Sequence, residues 1–350
     1  MRSGYFKTNP QGDRELFPFF IDKLAFALLM LIIVVFPFLS SGSWLNYATM
    51  MGIVTIGAIG LNIIMGYTGQ ISLGHASFIA IGAYVTAISS KFIGFLPAPL
   101  VIVFAGFVAG AFGLIIAIPS FRLKGLYLAV STLAFYYITI FLIVKAGFLT
   151  NGAIGLPISK PNFIWFSIES LEGIYGLAWT IAGVSILCTV NLVRTKAGRA
   201  FIAIRDRDIA AEVMGISINK WKTYSFFLGS FFAGVGGAVY GYYVSFICPE
   251  DFPFHMSIVY LSAVLIGGMG SIIGPILGSF FVIIIPELST KASSIISDYY
   301  NPFAGGVIRS YLEMILFGAF IMFFVIFESD GLYGRWKTIR NYFIYWPFRY

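Results

Sequence analysis

His75 is one of two histidines in 350 residues, and it follows the run Gly66-Tyr67-Thr68-Gly69-Gln70-Ile71-Ser72-Leu73-Gly74. With Gln70, Ser72 and Ser77 it makes a small polar group in apolar surroundings. Such side chains can line a wet path for a polar solute. Alternatively, His75 and Ser77 can satisfy backbone groups freed where glycines interrupt a helix. Both roles stay open at this point. Metal binding is disfavoured, because no acidic or cysteine partner lies nearby in sequence. The patterns HExxH and GxSxG and any paired-carboxylate constellation are absent, which leaves an intramembrane enzyme as the weakest reading. No lysine follows a glycine, so the chain has no GxxxxGKS/T loop with which to cradle ATP.

The second chemically dense region is 194–222, where seven basic and three acidic residues fall within 29 positions. Inside it, Asp208-Ile209-Ala210-Ala211-Glu212-Val213-Met214-Gly215 reads as a very short helix. Asp208 can cap its start and Gly215 can end it in a left-handed turn. Ile209, Val213 and Ile216 share one side at helical spacing. A helix this short is marginal in water alone. It fits either a groove on a partner protein or a solvated positive loop lying on lipid headgroups.

The elements that hold these residues belong to a membrane. Apolar residues make up 59% of the chain and charged ones 11%, with a mean hydropathy of +0.91, whereas a soluble domain carries roughly 25% charged residues. The fold class is an all-α polytopic membrane protein. The net charge of +7 does not point to nucleic acid, because the basic residues sit in the breaks between apolar runs and no basic stripe interleaves with aromatics. Spanning runs can be read at 24–39, 45–65, 71–89, 98–118, 126–144, 176–193 and 224–247, followed by a Gly-rich stretch at 257–285 and a last run at 310–327. The count is eight to ten segments, depending on the Gly-rich stretches. The first run follows a tail containing Asp13, Glu15 and Asp22 and is read as a retained helix, not a signal peptide.

Loop charges set the orientation. The loop 147–175 has one basic residue and loop 248–255 has none, against seven in 194–222. Segment 194–222, the Arg122/Lys124 turn and both termini are therefore placed inside, and loops 147–175, 248–255 and 288–308 outside. The chain divides into a tail 1–23, a first membrane half 24–193, the inside segment 194–222, a second membrane half 223–328 and a tail 329–350. In the last tail Trp336, Lys337, Arg340, Tyr342 and Trp346 read as an interfacial anchor. Cys188 falls towards the inner face and Cys248 beyond the outer one, so they cannot bond to each other.

Only 29 residues, 257–285, separate two outside points, too few for two full spans of about 20 residues each. The centre of that stretch, Gly267-Gly268-Met269-Gly270-Ser271-Ile272-Ile273-Gly274-Pro275, breaks any helix. Two short or re-entrant helices meeting inside the membrane are expected. The first half has a comparable break at Gly66–Gly74, and paired Gly-interrupted segments point to a transport pathway. Whether the halves are a true duplication is open.

The run Gly60-Leu61-Asn62-Ile63-Ile64-Met65 and onward through Gly66–Gly74 to His75-Ala76-Ser77-Phe78 resembles the hallmark of LivM-type permeases, membrane subunits of branched-chain amino acid ABC importers. Gly198-Arg199-Ala200-Phe201-Ile202-Ala203-Ile204-Arg205-Asp206 through Gly215 resembles their cytoplasmic coupling segment, and 267–278 their late Gly-rich hairpin. Ala210, Ala211 and Gly215 fit the general importer motif, but Ile209 stands at its Glu position and no Leu-Pro follows.

The resemblance implies a bacterial inner-membrane pore subunit with no cofactor of its own. It would pair with a LivH-like permease, two cytoplasmic ATPases that bind the ATP, and a soluble periplasmic or extracellular binding protein. Arg199, Arg205, Asp208, Ala210, Ala211, Glu212 and Gly215 are the expected ATPase-coupling residues. Asn62, Gln70, Ser72, His75, Ser77, Gly267 and Gly270 are candidates for the path of a zwitterionic amino acid. Urea and short-chain amide permeases share much of the glycine pattern, although Gln70 after Gly69 leans towards amino acids. A self-sufficient secondary transporter is the competing class; it would want intramembrane carboxylates, and only Glu287 and Glu313 come close, near span ends.

Overall fold

A computed structural model describes residues 20–40, 42–92, 96–163, 166–300, 305–327 and 331–345. The tail 1–19 with Asp13 and Glu15, Trp346, and the side chain of Glu313 lie outside the described residues. The described residues are helical almost throughout. In order come α1 (Phe20–Leu39), α2 (Gly42–Leu61) continued by a π-helical turn (Asn62–Tyr67), α3 (His75–Phe92), α4 (Ala98–Ser120) and α5 (Leu126–Lys145). A four-residue α6 (Gly147–Thr150) precedes α7 (Leu171–Arg194), α8 (Lys196–Asp206), α9 (Asp208–Val213) and α10 (Ile218–Val244). The chain closes with α11 (Phe254–Gly267), α12 (Gly274–Tyr300), α13 (Gly305–Phe327) and α14 (Gly331–Tyr345). The strands are two-residue pairings in the connections: β1 (Leu156–Pro157) with β4 (Phe246–Ile247), and β2 (Asn162–Phe163) with β3 (Phe166–Ser167), both antiparallel.

Among the described residues, five helices are long and apolar enough to cross a membrane: α2 with its π turn, α4, α5, α7 and α10. Shorter apolar stretches run over Gly274–Leu288 and Met314–Phe323. The remaining expected segments correspond to α1, α3, α11, α12 and α13.

Helix α10 is the centre, packed against α2, α3 and α4. Lipid offers no hydrophobic drive for helices to associate, so close backbone approach through small residues must supply the contact. A methyl group on Gly82 of α3 would land on the Gly234 carbonyl of α10, and one on Gly237 would land on the Ile79 carbonyl. The outward faces of α4 and α5 stay apolar and open, as with Phe104, Ile115, Ile138 and Phe141.

The ends of the helices sort into two faces. On one, Lys124 pairs with Asp208, Arg205 reaches Gly66, and Gly331 at the start of α14 packs on Gly268. On the other, β1 meets β4 and Lys91 Nζ donates to Asn151 Oδ1 at 3.4 Å.

Helix α11 has 14 residues, about 21 Å at 1.5 Å per residue, short of a hydrocarbon core of about 30 Å. It is the short arm expected from the sequence. Its partner α12 is not short: it runs 27 residues, of which only Gly274–Leu288 form an apolar stretch. The glycine break turns the chain back, with Gly268 and Gly270 at φ of 114° and 72°.

Candidate functional site

The two glycine breaks, some 200 residues apart in sequence, meet through one side chain. Asn62, in the first turn of the π helix, donates from Nδ2 to the Ser271 carbonyl (2.7 Å) and accepts at Oδ1 from the Gly270 amide (2.8 Å). Asn62 is 2% exposed. Both amide positions therefore serve backbone groups, one buried and one half-buried, that a tight glycine turn leaves without helical partners. Gly66 has no room for a side chain here, because a methyl group would strike the Asn62 amide and the Gly270 nitrogen. π turns often mark functional positions in helices.

Arg205, at the end of α8, extends into the same joint. Its Nη1 donates to the Gly66 carbonyl at 2.8 Å, and its stem lies against Gly69, whose φ is 73°. A methyl group on Gly270 would strike the same Nη1, so the charged segment touches both breaks. Gly69 and Gln70 remain hydrogen-bonded to the helix end, through Gly69 N to Met65 O and Gln70 N to Ile64 O, both 3.0 Å.

Beyond Tyr67 the backbone does not simply turn into α3. His75 opens α3 with its Nε2 2.8 Å from the Gly57 carbonyl, and Gly57 precedes Tyr67 by ten residues, about 15 Å of helix. The non-helical stretch 68–74 therefore climbs back along α2 inside the protein. Non-helical backbone at membrane depth is tolerated when buried in this way. Gln70 Nε2 donates to Ser225 Oγ (2.8 Å), Leu73 N to Thr132 Oγ1 (2.9 Å), and Ser77 Oγ to the Gly74 carbonyl (2.6 Å). Ser257 Oγ accepts from Ala76 N (2.9 Å), and the Tyr260 ring stands edge-on to His75 with centroids 5.4 Å apart.

Among the candidates in this stretch, Gln70, Ser72, His75 and Ser77 are all buried within the chain. Three buried atoms of these four residues lack hydrogen-bond partners: Gln70 Oε1, Ser72 Oγ and His75 Nδ1. Gly267 packs on the Gly274 carbonyl inside the α11–α12 hairpin.

In the charged segment, α9 closes as Gly215 implies. Ile216 N donates to Ala211 O (3.0 Å) and Gly215 N to Glu212 O (2.9 Å), with Gly215 at φ 82°, a Schellman ending. Asp208 differs from the expected cap. Arg207 holds the cap position without a side-chain bond, and Asp208 lies in the first turn, accepting from Ile209 N (2.9 Å) and pairing with Lys124. The hydrogen bond from Lys124 holds the Asp208 carboxyl below the usual carboxylate range. Ala211 faces inward, while Ile209, Ala210, Glu212, Val213 and Met214 are exposed. Arg199 donates to the Arg194 carbonyl (3.3 Å) and stays within its own segment.

Residues 43–325 match the family described as branched-chain amino acid transport system / permease component. The chain belongs to that family. This permease is 30% identical, over 89% of its length and 75% of the relative's, to the high-affinity branched-chain amino acid transport system permease protein LivM of Salmonella typhimurium. It is 24% identical to the Escherichia coli permease protein LivH, over 83% of this chain and 94% of that one. It is also 26% identical to the autoinducer 2 import system permease protein LsrC of Klebsiella pneumoniae, over 51% of each chain. No solved structure matches it. The permease is a multi-pass membrane protein.

Sequence reasoning missed several partners in this permease. Ser225, Ser257, Thr132 and Tyr260 are ordinary residues of apolar helices, and no local spacing distinguishes them. Lys124 and Lys222 carried a signal, since both sit among the inside charges, but their convergence on Asp208 and on the Gln70 region depends on how α4 and α10 pack.

Proposed function

We infer that this permease is one half of a gated conduit in an ATP-driven importer of branched-chain amino acids in a bacterial inner membrane. A LivH-like permease forms the other half. Two cytoplasmic ATPases dock on segment 199–220, and a soluble binding protein delivers solute from outside. Both termini lie in the cytoplasm.

The observation that supports this most is Arg205, which runs from the exposed α8–α9 segment to the Gly66 carbonyl at the joint of the two glycine breaks. A force applied to α9 reaches the broken helices through one charge-assisted hydrogen bond. The exposed apolar side chains Ile209, Val213 and Met214 give α9 a surface suited to a partner groove. Under this reading Asn62, Gln70, Ser72, His75, Ser77, Gly267 and Gly270 belong to the moving joint beside the path.

The test is uptake of labelled leucine into proteoliposomes carrying the chain with its neighbour-encoded partners. Uptake is expected to require ATP and the binding protein, and to survive collapse of the proton gradient. Uphill transport by the chain alone would overturn the reading in favour of a secondary transporter. The similarity to LsrC favours a second reading within the same class, a permease for another small polar solute. Uptake of such a solute, or of urea, in preference to leucine would select it.

A further inference from the structure

Between the first break and the charged segment lies a cleft of about 220 Å³. It is smaller than the roughly 300–1,000 Å³ of pockets for drug-sized ligands, so it suits a small solute. Its lining carries both signs of charge: Lys124, Arg205, Arg207 and Lys222 stand with Asp206 and Asp208, and buried Gln70 lines it too.

Two of these groups are costly where they are. Lys222 is 5% exposed, and its hydrogen bond among the described residues is a 3.4 Å contact to the Ser120 carbonyl. Asp208, a carboxylate whose charge reaches Lys222, is already engaged by Lys124. Gln70 is 3% exposed; its Nε2 is held by Ser225, while Oε1 has no partner. A buried cation without a close counter-ion and a buried acceptor without a donor both call for a ligand. The chemistry they call for is complementary: an anion for Lys222 and an N–H or ammonium for Gln70 Oε1.

We propose that this cleft is a product-side site for a zwitterionic α-amino acid, with the carboxylate at Lys222 and the ammonium at Gln70 Oε1, through which internal solute slows transport. This rests on the importer reading above and extends it. Gln70 belongs to the stretch that Arg205 touches, so an occupied cleft ties the break to the charged segment and resists their separation.

The experiment uses proteoliposomes holding the full assembly, with ATP inside, binding protein and labelled leucine outside, and millimolar unlabelled leucine trapped inside. Initial uptake without trapped solute reads the importer proposal by itself. The ratio of rates with and without trapped leucine reads this one. Trapped leucine is expected to lower the initial rate by about fivefold, the low end of ordinary coupling between two sites. Trapped 4-methylpentanoate, which lacks the ammonium, 3-methylbutylamine, which lacks the carboxylate, and inorganic phosphate are each expected to leave the rate unchanged.

Gln70→Leu and Lys222→Met should bring the ratio back to about one. Where either fails to assemble, Lys124→Gln at the exposed rim should weaken the inhibition. A ratio of one in the unaltered assembly, equal inhibition by the singly charged analogues, or undiminished inhibition in the variants would each overturn the proposal. So would a rate that ignores trapped leucine and follows the phosphatidylethanolamine content of the bilayer, since a lipid headgroup would then own the cleft.

Discussion

Asn62 carries the connection between the two breaks with a single planar amide. Its two hydrogen bonds go to the buried Ser271 carbonyl and the half-buried Gly270 amide of the α11–α12 turn, and both lose their partner when the side chain is cut away. A buried orphan costs about 1–3 kcal/mol and a half-buried one less, so Asn62→Ala should destabilise the folded protein by about 1–4 kcal/mol. Asn62→Asp retains the acceptor for Gly270 but sets a carboxylate against the Ser271 carbonyl, and should do at least as much harm. Gly66→Ala is expected to reproduce the Asn62→Ala effect, because its methyl group would displace the same amide. Thermal unfolding of the purified permease in detergent measures all three. Equal melting of Asn62→Ala and the parent would mean that the two breaks are held together elsewhere.

At the scale of the element, α9 is six residues long and owes its end to one backbone conformation. Gly215 has φ 82° with open space around the position where a side chain would go, so a substitution there acts through strain and not through collision. Gly215→Val forces a β-branched residue into the left-handed region at a cost of about 1–2 kcal/mol or more, enough to fray a helix this short. Gly215→Asn, which tolerates that region, should leave it intact. Co-purification of the ATPases is expected to fall with valine and persist with asparagine; loss with both would assign the position to direct contact instead. This part of the site was readable because glycine, helix spacing and exposed apolar residues are local signals. The shortness of α11 was readable too, from chain length against membrane thickness. The climb of 68–74 back to Gly57, the Asn62–Gly270 joint and the reach of Arg205 were not. Each depends on which backbone groups a distant helix leaves unpaired, and spacing along one segment does not encode that. The same limit explains Asp208, whose residue type suits a helix start while its actual engagement is set by Lys124 across the cleft.

For the whole molecule, the sorting of helix ends into two faces makes orientation a testable property. Under the proposed reading the face bearing Arg205, Lys124 and the start of α14 lies in the cytoplasm, as its basic residues suggest. Cys248, between α10 and α11, then opens to the outside, whereas Cys188 is exposed on the surface of spanning helix α7, where lipid shields it. In spheroplasts of the Cys188→Ser variant, a membrane-impermeant maleimide should label Cys248, while a cysteine placed at Asn219, with Cys248 also replaced by Ser, should react only after lysis. The reverse pattern would invert the topology and remove segment 199–220 from any cytoplasmic ATPase. The labelling rate carries a second check. Burial pushes the Cys248 thiol above its ordinary value, and the neighbouring Asp251 carboxylate pushes it further. Only the thiolate attacks the reagent, so modification should be slow at neutral pH and quicken by about tenfold per pH unit towards pH 9. Asp251→Asn removes the repelling charge and should speed labelling at neutral pH without altering which side the reagent must come from. An unchanged rate would mean that Cys248 does not sit against that carboxylate in the membrane-embedded protein.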